Sequence, residues 1–266
     1  MTDGDPGTDV FGGRTEQWRA WQDEPWGRLR YSLVATTTAR AVAHLPGPLR
    51  IADIGGGDGA DGLPLAGAGH SVTVVDVSPP LLRAAADRFA EAGLADRLRT
   101  VHADLDDLHG GLEEAGAFDV VLCLDVVHYR ADVASTVATL VGLVRPGGVV
   151  SVMAPNPAMD VLSAAVRRTD PAAALAVLDA LTVHGVTFDH PMRRVEAATV
   201  EAALAEAGCT VQHRFGVRCV MDLVADDEVK HDPEFYRRLE ELETALCERD
   251  PYRLTARFWQ VTATRG

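Results

Sequence analysis

Lysine is nearly absent from this chain. Of its 25 basic residues a single one, Lys230, is a lysine, and the 266 residues carry a formal charge of −14 at neutral pH. A field of that sign repels polyanions. Indiscriminate binding to nucleic acid or to an anionic membrane is therefore excluded unless a local basic patch overrides it. The arginine that replaces lysine suits planar recognition of carboxylate or phosphate, and a GC-rich genome gives the same skew. Long apolar runs are missing as well: none reaches the roughly 18 to 20 residues that a membrane-spanning helix needs. The opening "MTDGDPGTDVFGG" has neither the basic stretch nor the apolar core of a secretion signal, so a loose polar tail and a cytoplasmic location are expected. Cys123, Cys209, Cys219 and Cys247 are too scattered for a CxxC pair, and no histidine pair has ligand spacing. Free buried thiols, no metal and no disulfide framework are expected.

Hydrophobic residues make up 47% of the chain, enough for a sizeable core in one large or two small domains. After the tail, "EQWRAWQDEPWGRLRYSLVATTTARAVAHL" reads as one or two helical pieces broken around Pro25 and Gly27. Apolar runs at 49–54, 70–78, 97–104, 118–129 and 148–155 read as strands. Between them lie a helix after the glycines of 55–59, a helix N-capped by Ser78, and a helix over 132–144. The Ser78 helix places Leu82, Ala85, Ala86 and Phe89 on one face and stops at Gly93, and "RPGG" at 145–148 reads as a turn. Unbroken Val/Ile/Leu strands alternating with helices point to a mostly parallel sheet covered on both faces. An irregular, alanine-rich region over roughly 156–194 interrupts the alternation. A helix ending at Gly208 follows, then strand candidates at 209–224 and 256–265 around an acidic helix. With no βαβ crossover between them, these last two form an antiparallel pair at the sheet edge.

The first strand runs into "IADIGGGDGADG" at 51–62. Such a turn lets a ligand approach the backbone. Gly55, Gly57 and Ala60 satisfy G-x-G-x-x-A, and Asp76 lies about 20 residues on, which fits a dinucleotide such as NAD. S-adenosylmethionine (SAM) fits the same unit; it has the ribose but no phosphate, and presents an ammonium, a carboxylate and a sulfonium. Charge discriminates between them. A pyrophosphate would face Asp58 beside a helix N-terminus, whereas acids there favour a cationic ligand. Gly55, Gly57 and Gly59, preceded by Asp53, suit SAM better. Asp76 ends the second strand, where it can accept both ribose hydroxyls, and Asp104 ends the third, where it can take the adenine amino group.

Together with "RPGG" and the closing edge pair, these residues resemble the class I SAM-dependent methyltransferases over about 27–265. That resemblance implies an α/β fold: a Rossmann-like seven-stranded sheet, mostly parallel with an antiparallel C-terminal edge pair, and helices on both faces. It implies one methyltransferase domain over 27–266, with a helical insertion or cover expected at about 156–194; residues 1–26 read as a flexible tail and a helix whose Trp18, Trp21 and Trp26 either form a lid over SAM or simply pack. Further, "GRLR" (27–30), "IADIGGGDG" (51–59), "GVRCVMDLV" (216–224), "LEELETALCERDPY" (239–252) and "ARFWQVTATR" (256–265) are similar to the bacterial family that methylates the carboxylate of 5-carboxymethoxyuridine at the tRNA wobble position. The resemblance implies Arg30 on the SAM carboxylate and Gly55 and Gly56 along its methionine part, with Asp53 and Gly57 also expected to bind the cofactor. It implies Asp76 and Val77 at the ribose, Asp104 and Leu105 at the adenine, and Leu124 against the cofactor near the acceptor. Two departures bear on the acceptor. Where the family's tRNA enzymes carry a lysine run, "LTVHGVTFDHPMRR" (181–194) keeps only Arg193 and Arg194, and the family's histidine at the position of Leu124 is absent.

Methyl transfer is an in-line displacement that needs alignment and exclusion of water. An ionised carboxylate needs no general base, whereas a hydroxyl or amine usually does. His128, after the fourth strand, is the candidate base, with Tyr129 as acceptor wall. Asn156, Arg218, Tyr252 and Arg257 are candidates for binding the acceptor, and Asp222 and the glutamates of 239–248 are the alternative partners of those arginines. The acceptor is a small molecule or tRNA and the enzyme a monomer or homodimer. A small-molecule O- or N-methyltransferase, an NAD-dependent oxidoreductase and a non-catalytic SAM-binding regulator remain the alternatives.

Overall fold

The computed structural model describes residues 15–110, 112, 116–185 and 190–266; the expected tail lies outside the described residues up to residue 14. Five strands follow one another with helices between them: β1 (Arg50–Ile54), β2 (Ser71–Asp76), β3 (Leu98–His102), β4 (Phe118–Leu124) and β5 (Val144–Pro155). All pair in parallel. β6 (Thr182–Gly185) and β7 (His190–Arg193) make a separate antiparallel hairpin. β8 (Cys209–Val217) and β9 (Phe258–Arg265) complete the main sheet, β9 antiparallel to β5 and β8 antiparallel to β9. The order is β3-β2-β1-β4-β5-β9-β8, the mostly parallel sheet with an antiparallel edge that the sequence implies.

Side-chain alternation along each strand feeds two cores. Ile51, Val120 and Leu122 pack under α2 (Pro25–Val42), α3 (Gly62–Gly67) and α4 (Pro79–Glu91), where Phe89 is fully buried. Ala52, Ile54, Val121 and Cys123 pack on the other face, under α5 (Val133–Leu143) and α8 (Ala197–Glu206). Each fully buried large apolar side chain contributes about 1.5–3 kcal/mol. One buried polar chain crosses this packing. Thr37 Oγ1 donates to Gln260 Oε1 (2.6 Å), and Gln260 Nε2 donates to Ser151 Oγ (3.0 Å), so α2, β9 and β5 hold one register with the linking groups satisfied.

Several elements end where the apolar pattern does not. The fourth strand, expected to reach residue 129, stops at Leu124 because Asp125 turns left-handed (φ 61°) into a helical turn at Val127–Tyr129. The expected strand over 209–224 stops at Val217, and Arg218 (φ 64°) is left-handed too. "RPGG" is a bulge inside β5 rather than a turn before it, since pairing steps from Phe118↔Val144 to Val120↔Val149. Ser78 occupies the N-cap position, but its hydroxyl has no partner among the described residues; its N–H instead reaches Asp76 Oδ1 at 2.8 Å. Ala86 is exposed, and Leu81, Ala84 and Ala85 are buried beside Leu82 and Phe89. Gly27 does not break a helix. α1 (Thr15–Asp23) packs so closely on α2 that a Cβ at Gly27 would overlap the Trp21 carbonyl, and α2 runs through the expected boundary at 26/27. The cover is not all helical: α6 (Pro157–Leu162), a single π-helical turn (Ser163–Arg167) and α7 (Pro171–Leu178) lead into the β6–β7 hairpin. α9 (Pro233–Leu246) is the acidic helix.

The bulge generates a test. A Cβ at Gly148 would sit 2.6 Å from the Asp119 carbonyl oxygen and 3.1 Å from that of Arg145. Both are backbone atoms, so Gly148→Ala is expected to cost about 1–3 kcal/mol. Urea unfolding should show a lower midpoint at unchanged slope.

Candidate active site

Chain order reverses between β1 and β4, and ligands of open α/β sheets bind outside the strand carboxyl ends at that point. A cavity of about 310 Å³ lies there. Its walls are the turns that follow four strands: Gly55, Gly56 and Gly57 after β1; Asp76 and Val77 from β2; Asp104 and Leu105 after β3; and Leu124 and Asp125 at β4. Gly55 is left-handed (φ 71°), and a Cβ there would collide with Val126 Cγ2, so glycine is what lets the turn close on the β4 exit. Gly57 N–H donates to Asp76 Oδ2 at 3.0 Å. The Asp76 carboxylate is thus oriented by the backbone N–H groups of Ser78, Gly57 and Val77; burial pushes its pKa up and these bonds pull it partly back.

Arg30 reaches the cavity floor from α2. Its guanidinium is 2% exposed and is held by Asp61 and by Asp125 (3.0 Å). Burial works against its charge, and Asp61 and Asp125 more than offset that. Arg30 Nε and Asp125 Oδ1 have no partner among the described residues. The acids that sequence reasoning took as open charges are paired. Asp58 is bridged by Arg88 and accepts from Gln22 at 3.1 Å, and Asp61 belongs to Arg30. The acidic character left to the cavity comes from Asp76, the second oxygen of Asp125, and Asp104. Asp104 is half-exposed and 3.6 Å from Arg130. Asp53 does not line the cavity. It is buried beneath the turn, where a Cβ at Gly56 would lie 2.6 Å from its Cγ, and burial raises its carboxyl well above the usual range.

A second cavity, of about 800 Å³, meets the first at Trp18, Asp125 and Tyr129 and lies against the cover. His128 lines it, buried, its ring 4.1 Å from that of Tyr129, with Nδ1 unpartnered among the described residues. Burial lowers the His128 pKa to about 3. Arg218 and Arg257 flank Phe258 in the same wall, 5.6 and 5.8 Å from its ring. Arg218 forks onto Asp222, whereas Arg257 takes Asp160 at 3.0 Å rather than a glutamate of α9. Burial raises the Asp125 carboxyl against Arg30 and, beyond it, Arg257 and Arg218, so these charges converge where the cavities join.

Two expected acceptor residues fall elsewhere. Asn156 caps α6, accepting from Ala158 N–H (3.1 Å) and donating to the Leu254 carbonyl (2.9 Å). Tyr252 is 45% exposed and borders neither cavity. Arg194 is also spoken for, donating to the carbonyls of Val177, Leu178, Ala180 and Pro157. Trp18 and Trp21 stack at 5.0 Å on α1. Glu243, expected only among the alternative partners of the arginines, instead is fully buried and accepts the N–H groups of Cys219, Val220 (3.0 Å) and Met221 (2.8 Å), fixing the strip that begins with Arg218. The signal was present: Leu239, Glu243 and Leu246 share the buried stripe of α9 while Leu242 faces solvent. Arg130, Arg167 and Lys230 gave no such signal. Among the described residues no cluster of side chains could hold a metal ion, and no helix is long and apolar enough to cross a membrane.

A family model described as a methyltransferase domain matches residues 52–150. Over 240 residues the chain is 30% identical to the tRNA 5-carboxymethoxyuridine methyltransferase of Escherichia coli, covering 90% of this chain and 89% of that protein. A ubiquinone biosynthesis O-methyltransferase of Rhizobium johnstonii is 37% identical over 175 residues, covering 64% of this chain and 63% of its own. The fold matches the magnesium protoporphyrin IX methyltransferase of Synechocystis with bound S-adenosylhomocysteine, at a TM-score of 0.62, 17% identity and 97% coverage of each chain. The chain is a SAM-dependent methyltransferase and belongs to the family that includes the tRNA 5-carboxymethoxyuridine methyltransferase of E. coli.

Proposed function

We propose that this enzyme esterifies a carboxylate with the methyl group of SAM, and that the carboxylate is the 5-carboxymethoxy group of a tRNA wobble uridine. The observation that carries the reading is the chemistry of the larger cavity. It offers guanidiniums at Arg218 and Arg257 and an imidazole with a pKa of about 3, too weak a base to deprotonate a hydroxyl. A carboxylate is drawn by the first and has no need of the second. The likeness to the E. coli tRNA enzyme runs through 90% of the chain and so is not confined to the donor-binding half.

The smaller cavity suits the donor. The buried, unpartnered Arg30 Nε and Asp125 Oδ1 complement a carboxylate and an ammonium respectively. Gly55, Gly56 and Gly57 would lie along the methionine part, Asp76 and Val77 at the ribose, and Asp104 and Leu105 at the adenine. Bound there, SAM supplies an electrophilic methyl on a sulfonium. The chain's own residues align the acceptor and exclude water: Leu124 closes the wall at the junction, Tyr129 and α1 with Trp18 cover it, and Arg218 and Arg257 hold the acceptor's charge. Residues 27–266 act as one catalytic domain, and the tRNA substrate makes it a cytoplasmic enzyme. A second reading, a small organic acid as acceptor, is favoured by the charges of the larger cavity. Arg167, Arg168, Arg218, Lys230 and Arg257 nearly balance Asp125, Asp160, Asp222 and Asp227, which is not the broad basic groove of a general RNA binder.

Tritiated-methyl transfer to undermethylated bulk tRNA and to a panel of organic acids separates the two. Label in tRNA that mild alkali releases is expected, because a methyl ester hydrolyses where an ether or N-methyl does not. Alkali-stable label would defeat the carboxylate reading, and labile label in the acid fraction would select the second. Asp76→Ala is expected to weaken S-adenosylhomocysteine binding about 10–100-fold, the loss of charged hydrogen bonds worth about 1.5–3 kcal/mol, as read by calorimetry. The pH dependence follows from His128. Its folded pKa of about 3 lies below the ordinary 6.5, so the ring is neutral at assay pH. The stability from burying it neutral is complete above pH 6.5 and is lost as pH falls toward 3. The turnover number should therefore show no His128 inflection between about pH 5 and 8. An inflection near neutrality that His128→Gln abolishes would reinstate it as a base.

A further inference from the structure

Lys230 is the one lysine of the chain, and it is not on the surface. Its side chain is 2% exposed, yet it lines the larger cavity. Among the described residues its ammonium has one acceptor, Asp227 Oδ1 at 2.7 Å, and it faces the Trp26 ring at 6.0 Å. An ammonium carries three N–H donors, so the buried group keeps donors that no described protein atom satisfies. The same Asp227 carboxylate takes Arg167 Nη2 at 2.7 and 2.6 Å. Two cations thus share one anion, an excess of one positive charge in the cavity wall, and the exposed Arg168 borders the same wall. Arg167 reaches this point from the single π-helical turn of the cover, a rare local geometry that often marks functional sites. The Trp26 carbonyl also accepts from Arg218 Nη1 at 3.4 Å. The trio therefore adjoins the Arg218–Arg257 wall but has its own counterion.

We propose that Arg167 and Lys230, bridged by Asp227, form a phosphate subsite that holds a phosphate group of the acceptor while Arg218 and Arg257 face its carboxylate. The inference rests on the carboxylate reading and narrows it: an acceptor with both groups is a carboxylated nucleotide, free or in a polynucleotide, rather than a simple organic acid. A phosphate oxygen supplies the acceptors that the buried ammonium lacks, and its charge matches the local excess.

The test uses the full chain loaded with S-adenosylhomocysteine, titrated with inorganic phosphate by calorimetry. Saturable binding is expected, weakened about tenfold or more in Lys230→Gln, as for loss of one charged hydrogen bond, and retained in Lys230→Arg. Asp227→Asn, at a half-exposed position, raises the local excess charge and should tighten phosphate several-fold. This variant decides the matter if Lys230→Gln fails to fold. In turnover, Lys230→Gln should raise KM for 5-carboxymethoxyuridine 3′,5′-bisphosphate or tRNA about tenfold while leaving KM for the bare nucleoside and affinity for S-adenosylhomocysteine unchanged. Absence of phosphate binding to the wild type, or an equal effect on nucleoside and nucleotide, would overturn the subsite. Phosphate binding by an enzyme that methylates no uridine carboxylate would instead leave the subsite standing and remove the acceptor reading.

Discussion

The buried guanidinium of Arg30 is the contact on which the rest of the site depends. It comes from α2, and its two anions come from the segment after the glycine turn and from the exit of β4. Three stretches far apart in sequence are thereby fixed to one another at the floor of the smaller cavity. A buried charge that loses its partners is strongly destabilising, whereas a satisfied one specifies geometry. Asp125 carries this constraint outward. It is left-handed, anchored to Arg30 by one oxygen, and it borders both cavities. Aspartate tolerates that backbone region better than most residues, and the ion pair selects it. The two cavities thus share a wall whose position is set from the side of the smaller one.

Arginine does different work at different places in this acidic chain. Arg30, Arg88 and Arg257 are matched to aspartates distant in sequence, Arg218 to Asp222 four residues on, and Arg194 is spent on backbone carbonyls. A charge of −14 therefore coexists with a larger cavity in which the signs nearly cancel. An anion entering it would compete with resident carboxylates such as Asp222 and Asp160. That competition penalises ligands that cannot engage the arginine forks, a form of selectivity by cost rather than by attraction.

Much of the fold was legible because parallel strands buried on both faces leave continuous apolar runs, and because glycine, proline and Asp132 mark the turns and caps between them. Strand ends were less legible. Asp125 and Arg218 stop β4 and β8 through left-handed conformations imposed by tertiary partners, and neither residue announces this locally. The rim of the smaller cavity could be read because its residues sit at strand ends, in chain order. Charge could not, since the partners of Asp58 and Asp61 lie about thirty residues away. Asn156 and Tyr252 show the same limit: proximity in sequence to a site does not say whether a side chain faces it or caps a neighbouring helix. The β6–β7 hairpin, with strands of four residues each, is too short for a periodic signal.

The order of strands carries a consequence for biosynthesis. β9 lies between β5 and β8, although it comes last of the three in the chain. While the polypeptide is emerging, β1 to β5 can assemble, but β5 presents an open hydrogen-bonding edge and β8 has nothing to dock against until Phe258–Arg265 leaves the ribosome. The nascent protein therefore passes through a stage with one unsealed seam, the kind of surface chaperones recognise and stray strands invade. Closing that seam brings Arg218 and Arg257 together in the same event, so the larger cavity takes shape only when the sheet is finished.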